Sequence, residues 1–238
     1  MTSFSNDPLP TVPSLQFVDG SKTFRPGRII CIGRNYADHA LEMGADPVRE
    51  PPFFFTKQLN AIVALGQHED DPCPINYPPL TKSLHHEVEL VVAIGRTGIC
   101  RSPAEALHFI SGYAVGIDLT RRDMQDVAKS LRRPWDFSKS FEGAAPIGLL
   151  NPADQAPASN AAISLHVNGE ARQIGRIDQM IWSMGEIMTE LSTYQTLASG
   201  DLIFTGTPAG VGPVSVGDTI VATIEGLHPL VVTFVQSS

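Results

Sequence analysis

Two glutamates stand one residue apart in His85-His86-Glu87-Val88-Glu89-Leu90. Side chains alternate along a strand, so Glu87 and Glu89 would share one face, with Val88 and Leu90 on the other. The continuously apolar Val91, Val92, Ala93 and Ile94 that follow predict a strand buried on both faces. Buried, paired carboxylates need a cation, or one of them must hold a proton. Asp118 ends a second apolar run, Tyr113-Ala114-Val115-Gly116-Ile117, where a solvated acid is less expected. Three such carboxylates make a hard oxygen site that suits Mg²⁺ or Mn²⁺ better than Zn²⁺. The pattern also fits glutamates on the solvated face of an antiparallel strand. Of the two histidines only His85 has the parity of Glu87, and packing or surface roles suit both.

Acid–base candidates lie elsewhere. His39 and Glu42 follow the apolar run RIICIG and are three residues apart. On a helical turn they share a face, where the carboxylate can hold and polarise the imidazole as a base for water. A surface ion pair is the plainer alternative. Lys139 lies in Trp135-Asp136-Phe137-Ser138-Lys139-Ser140-Phe141. A lysine in apolar company can stabilise a developing enolate, or it can simply snorkel to solvent. The stretch Thr205-Gly206-Thr207-Pro208-Ala209-Gly210-Val211-Gly212 lacks the order of a dinucleotide or P-loop motif. It can still offer N–H groups and Thr207 to a carboxylate, or serve as a turn.

Strand-like runs at 28–32, 53–56, 87–94, 113–119, 163–167, 202–205, 219–224 and 230–235 make the chain β-rich. Asn168-Gly169 after ISLHV predicts a two-residue hairpin turn. Helices are expected after Ser102-Pro103 through Ile110, after Thr120 on the stripe Met124, Val127, Ala128 and Leu131, and after Asp178 on Ile181, Met184, Ile187, Met188 and Leu191. Helices and strands do not alternate regularly, so a mixed α+β architecture is expected over a doubly wound sheet. Residues 1–25 read as a short N-terminal appendage and 26–238 as one catalytic domain, with a Pro-rich loop at 70–79.

The 238 residues carry 17 Lys plus Arg against 25 Asp plus Glu, a net charge of −8, which excludes the basic footprint of a nucleic-acid binder. The local cluster of Arg121, Arg122, Lys129, Arg132 and Arg133 reads as a solvated helix face. Three scattered cysteines fit neither a disulfide framework nor a metal motif. With no apolar run near the roughly 18 residues of a membrane span and no leader-like N-terminus, a cytoplasmic protein is expected.

In order, the segments CIGRNYADHALEMG, PFFFTK, HHEVELVVAIG, GYAVGIDLTRRDMQ, RPWDFSKSF, HVNGEARQ and GDLIFTGTPAGVGPVSVGD resemble the fumarylacetoacetate hydrolase family. The resemblance is to its acylpyruvase branch, which includes fumarylpyruvate hydrolases and an oxaloacetate decarboxylase, and it runs from about Ile29 to the end. It implies a β-rich α+β domain with a rolled, barrel-like sheet, usually a homodimer. It implies that Glu87, Glu89 and Asp118 bind Mg²⁺ or Mn²⁺, that His39 and Glu42 activate water on a lid, and that Lys139 completes the catalytic set. Lys57, Arg122, Gln125 and Thr207 would contact a small diketo-acid substrate, which makes Arg122 the exception to the solvated helix face. The implied reaction is C–C cleavage of an acylpyruvate to pyruvate and a carboxylic acid. Oxaloacetate decarboxylation or keto–enol tautomerisation is the alternative chemistry, and a non-catalytic metal-binding domain the third reading.

Overall fold

The apolar run after the paired glutamates becomes the Val88–Ile94 strand, buried at every position. The computed structural model describes residues 12–42, 44, 50–65 and 72–237. Within it Val88–Ile94 lies inside an eight-stranded mixed sheet, antiparallel to Ile110–Ile117 on one side and to Asp201–Phe204 on the other. Beyond Asp201–Phe204 come Arg28–Ile32, parallel to it, and then Phe54–Lys57. Beyond Ile110–Ile117 come Ala145–Ile147 and, parallel to that, Ile62–Ala64. Val88, Leu90, Val91, Val92 and Ile94 each contribute roughly 1.5–3 kcal/mol by burial. That apolar anchoring fixes a strand whose end carries charge. The sheet curls into a half-barrel, as the rolled α+β architecture requires.

A five-stranded sheet runs in the order Glu170–Arg176, Ala162–Val167, Thr219–Ile224, Leu230–Val235, Cys73–Asn76. Its inward residues Ile163, Leu165, Ile220, Ala222, Val232 and Phe234 join the same core as the larger sheet. The hairpin turn forms as its residues demand, with Asn168 and Gly169 at φ 52° and 82°.

Several expectations change. The loop expected at 70–79 contains the edge strand Cys73–Asn76, whose Ile75 is buried. Pro74 is tolerated there because an edge strand can spare an N–H. Residues 70 and 71 lie outside the described residues. After Ser102 a 3₁₀ helix, Pro103–His108, stands in place of the expected α-helix, and a strand already begins at Ile110. Of the expected appendage, residues 1–11 lie outside the described residues, and Leu15, Phe17 and Phe24 are buried in the common core. The 15–24 hairpin is therefore joined to the main body.

Among the described residues four short α-helices complete the fold: α1 (Ala37–Glu42), α2 (Arg122–Ser130), α3 (Asp136–Lys139) and α4 (Met184–Tyr194). Helix α4 begins at a capping box of Ser183 and Glu186 and buries Ile187, Met188 and Leu191. Two of the four residues of the apolar stripe expected on α2 face outward, while Arg122 turns inward as the resemblance implies. Val127 and Leu131 are exposed, and Arg122 and Gln125 are buried. Arg122 and Gln125 lie three apart, on one face, and ion pairing at that face outweighs the apolar stripe.

Candidate active site

Glu87 and Glu89 lie together as their spacing predicts, with one change. Glu87 is not part of the strand but lies between Leu84–His86, in a three-stranded sheet, and Val88–Ile94 in the large one. Asp118 follows the end of Ile110–Ile117 and donates its N–H to Glu87 O at 2.8 Å, which extends the Val88–Ile117 register by one pair. Two adjacent strand ends thus bring Glu87, Glu89 and Asp118 together, with one oxygen from each within 4.8 Å of the others. All three are buried. His85 and His86 lie outside this carboxylate set. His85 contacts Ser83 at 3.0 Å.

Cations surround two of the acids. Lys139 Nζ donates to Glu87 Oε2 at 2.8 Å and to Asp118 Oδ2 at 2.7 Å. Arg122 donates to Glu87 Oε1, and to Gln125 Oε1 at 2.6 Å. Burial would raise the Glu87 carboxyl, yet Lys139, Arg122 and His39 hold it well below the usual range. Burial would lower the Lys139 ammonium, and Asp118 and Glu87 reverse that. Lys57, expected against substrate, lies behind Asp118. Its Nζ is 2.7 Å from Asp118 Oδ1, it donates to Lys139 O, and it does not line the cleft. The Oδ1 contact is ionic, without the angle of a hydrogen bond.

Glu89 differs from its neighbours. It accepts Gly206 N–H at 2.7 Å and has no ion pair among the described residues. Burial, with Asp118 and Glu87 adding like charge, pushes its carboxyl well above the usual range. A buried carboxylate with no cation of its own, beside two others, is the donor set of a hard divalent ion, so Mg²⁺ or Mn²⁺ fits the residues present.

On α1, His39 is 6% exposed and faces the carboxylates across a narrow cleft, lined also by Arg122, Gln125, Lys139 and Thr207. His39 Nδ1 lies 3.2 Å from Glu42 Oε2. Burial lowers the imidazole, against the pull of Glu87 and Glu42, so it is neutral and able to accept a proton near pH 7. Gly210 N–H reaches the Glu42 carboxylate at 3.2 Å. Gly210 is at φ 96°, and a Cβ there would collide with Arg172 O. The Gly/Pro loop thus touches Glu89 through Gly206 and Glu42 through Gly210.

Sequence reasoning missed Gln173. Fully buried, it accepts Val88 N–H at 3.1 Å and pairs with His86 Nδ1 at 3.0 Å through Oε1. Its Nε2 donates to Thr207 Oγ1 at 2.7 Å and Pro208 O at 2.8 Å. The backbone partners fix the amide orientation, and His86 must then carry its proton on Nδ1. The one signal in the sequence is a polar side chain at an inward position on a strand whose Glu170, Ala171 and Arg172 are exposed.

Of the residues expected at the site, His39, Glu87, Glu89, Asp118, Arg122, Gln125, Lys139 and Thr207 line one cleft, Glu42 backs His39, and Lys57 alone lies behind it. The chain is 42% identical over 184 residues to a fumarylpyruvate hydrolase of Ralstonia sp., covering 77% of this chain and 93% of the relative. It is 41% identical over 200 residues to a mitochondrial oxaloacetate tautomerase of Bos taurus, covering 84% and 87%. The crystal structure of fumarylpyruvate hydrolase from Pseudomonas aeruginosa in complex with Mn²⁺ and pyruvate superposes with a TM-score of 0.92 at 45% identity, covering 98% of this chain and all of that one. Residues 28–235 match the model of the fumarylacetoacetate (FAA) hydrolase C-terminal family, and the chain belongs to that family.

Proposed function

We propose that this chain is a metal-dependent acylpyruvate hydrolase that cleaves fumarylpyruvate to fumarate and pyruvate. The observation that carries the reading is the neutral, carboxylate-backed His39 facing Glu87, Glu89 and Asp118 across one cleft. The relatives named fumarylpyruvate hydrolase support it.

Charge supports an anionic chelating substrate. With Glu89 also ionised once a metal is held, the three acids Glu87, Glu89 and Asp118 would balance the three cations Lys57, Lys139 and Arg122. Mg²⁺ or Mn²⁺ held by the three acids supplies Lewis-acid stabilisation to a 2-oxo acid. The resulting double positive charge would match the 2-oxo acid half of the substrate, which bears one carboxylate and develops a second charge as an enolate. His39, held by Glu42, takes a proton from water as the water attacks the distal carbonyl. Lys139 faces the developing enolate of the pyruvate half. Thr207 and Gln125 orient the carboxylate, and Gln173 positions Thr207. Asp118 is positioned by Lys57.

The tautomerase relative supports a second reading, in which the same set stabilises an enolate of oxaloacetate without water attack. His39→Asn separates the two: hydrolysis of fumarylpyruvate should fall by a factor of about 10²–10⁴ while oxaloacetate turnover persists. Turnover of oxaloacetate by the wild type with no pyruvate released from fumarylpyruvate would favour the second reading. The family resemblance also supports a cytoplasmic homodimer acting in aromatic-acid breakdown. Light scattering on the purified protein tests the dimer. Among the described residues no helix is long and apolar enough to cross a membrane.

A further inference from the structure

Two cations in the cleft are left unused by the chemistry above. Arg34 and Lys129 both line it, and neither has an ion pair or a side-chain hydrogen bond among the described residues. The Arg34 guanidinium lies 5.7 Å from the centroid of the Phe53 ring, and Lys129 Nζ lies 5.6 Å from that of Trp135. The two rings meet edge to face at 5.6 Å. The cations are therefore carried on two touching rings set at 84° to each other. Burial lowers the Lys129 ammonium, and repulsion from Arg122, Arg34 and Lys139 adds to this against Asp126. The Arg34 charge thus reaches Lys129.

The backbone holds this arrangement at a cost. Arg34 has φ 57°, a left-handed conformation unfavourable for a side chain of its kind. It is fixed from both sides. Asn35 is pinned by Trp182 N–H at 2.7 Å and by donation to Thr205 O at 2.8 Å, and Gly33 lacks the Cβ that would collide with the Phe53 ring. Strain kept in place by neighbouring contacts, at a cleft edge, marks a side chain aimed for use. Ring stacking explains each cation singly, but it leaves two like charges lining one cleft with no ion pair to either among the described residues. An anion between them removes the repulsion.

We propose that Arg34 and Lys129 form a distal anion subsite for the carboxylate at the far end of a dicarboxylic acyl group, packed in the corner between Phe53 and Trp135. This rests on the hydrolase reading and assigns the residues that select an acidic acyl chain over a neutral one.

The test compares kcat/KM for fumarylpyruvate and acetylpyruvate in the Mn²⁺-loaded wild type, Arg34→Gln, Arg34→Lys and Lys129→Gln. The fumarylpyruvate-to-acetylpyruvate ratio should fall about 10-fold or more in each Gln variant, the loss of one charge-assisted hydrogen bond, and Arg34→Lys should keep most of it. A ratio unchanged within 2-fold in both Gln variants would overturn the subsite. Titration with fumarate and with its dimethyl ester, followed by tryptophan fluorescence, decides the matter without turnover. The wild type should prefer the diacid, and Arg34→Gln should bind it about 10-fold more weakly. Equal binding of diacid and ester by the wild type would overturn the subsite. If the wild type released no pyruvate from either acylpyruvate, the hydrolase reading would fail and the titration would still judge the subsite.

Discussion

Gln173 Nε2 donates to Thr207 Oγ1 at 2.7 Å, while Oε1 of the same amide accepts Val88 N–H at 3.1 Å. With its oxygen engaged by the amide, the Thr207 hydroxyl has its own proton free to donate into the cleft. The amide also ties the Gly/Pro loop to the strand that follows Glu87. Gln173→Glu keeps the size but cannot donate to Thr207, and it places a carboxylate against Pro208 O. KM for acylpyruvate should rise about 10-fold, and Thr207→Val should do the same. Because both act through one hydroxyl, the double variant should be no worse than the poorer single. Additive effects in that double-mutant cycle would separate Gln173 from Thr207.

Glu89 predicts how metal and stability are linked. Its carboxyl sits well above the usual range because burial and the acids beside it disfavour charge, so ionised Glu89 destabilises the metal-free fold. That penalty applies above the unfolded-state value and is relieved as pH falls through the folded one. Glu89→Gln should therefore leave the metal-free Tm at pH 7.5 equal to or above that of the wild type. Added Mn²⁺ should raise the wild-type Tm and leave the variant unmoved. A matching Mn²⁺ response in both proteins would remove Glu89 from the metal set.

The pH profile reports on His39. A base must be unprotonated, so activity is complete at high pH and is lost as pH falls through the imidazole value. Burial lowers that value, so the acid limb of kcat/KM should lie below the ordinary histidine range near pH 6.5. Glu42 acts in the opposite sense, raising the imidazole through charge and hydrogen bonding. Glu42→Gln should move the limb to still lower pH as it reduces kcat. A limb that does not move would break the pairing.

Lys57 should prove a stability residue. Lys57→Met leaves Asp118 short of one buried partner, a change that costs about 3–5 kcal/mol, and Tm should fall by roughly 10 °C. An unchanged Tm with a raised KM would return Lys57 to the substrate side.

Much of this site was legible because strand parity is local. Glu87 and Glu89 share a face whatever surrounds them, and the apolar run after them predicts burial. Asp118 was legible for the same reason, as an acid ending an apolar strand. What periodicity could not show was which faces meet. Two residues of the apolar stripe of α2 point outward because Arg122 is drawn to Glu87. The strand Cys73–Asn76 was hidden by Pro74, which an edge position tolerates. Lys57 and Gln173 act through partners at least 30 residues away in the chain, and no spacing rule reaches that far.

The central claim is tested most directly by the products formed from fumarylpyruvate. With Mn²⁺ or Mg²⁺, the purified protein should release equimolar fumarate and pyruvate as the enol absorbance disappears. Chelator should stop the reaction, metal should restore it, and Glu87→Gln should not recover with either ion. No pyruvate from the metal-loaded wild type, or undiminished pyruvate release by chelator-treated Glu87→Gln, would contradict it.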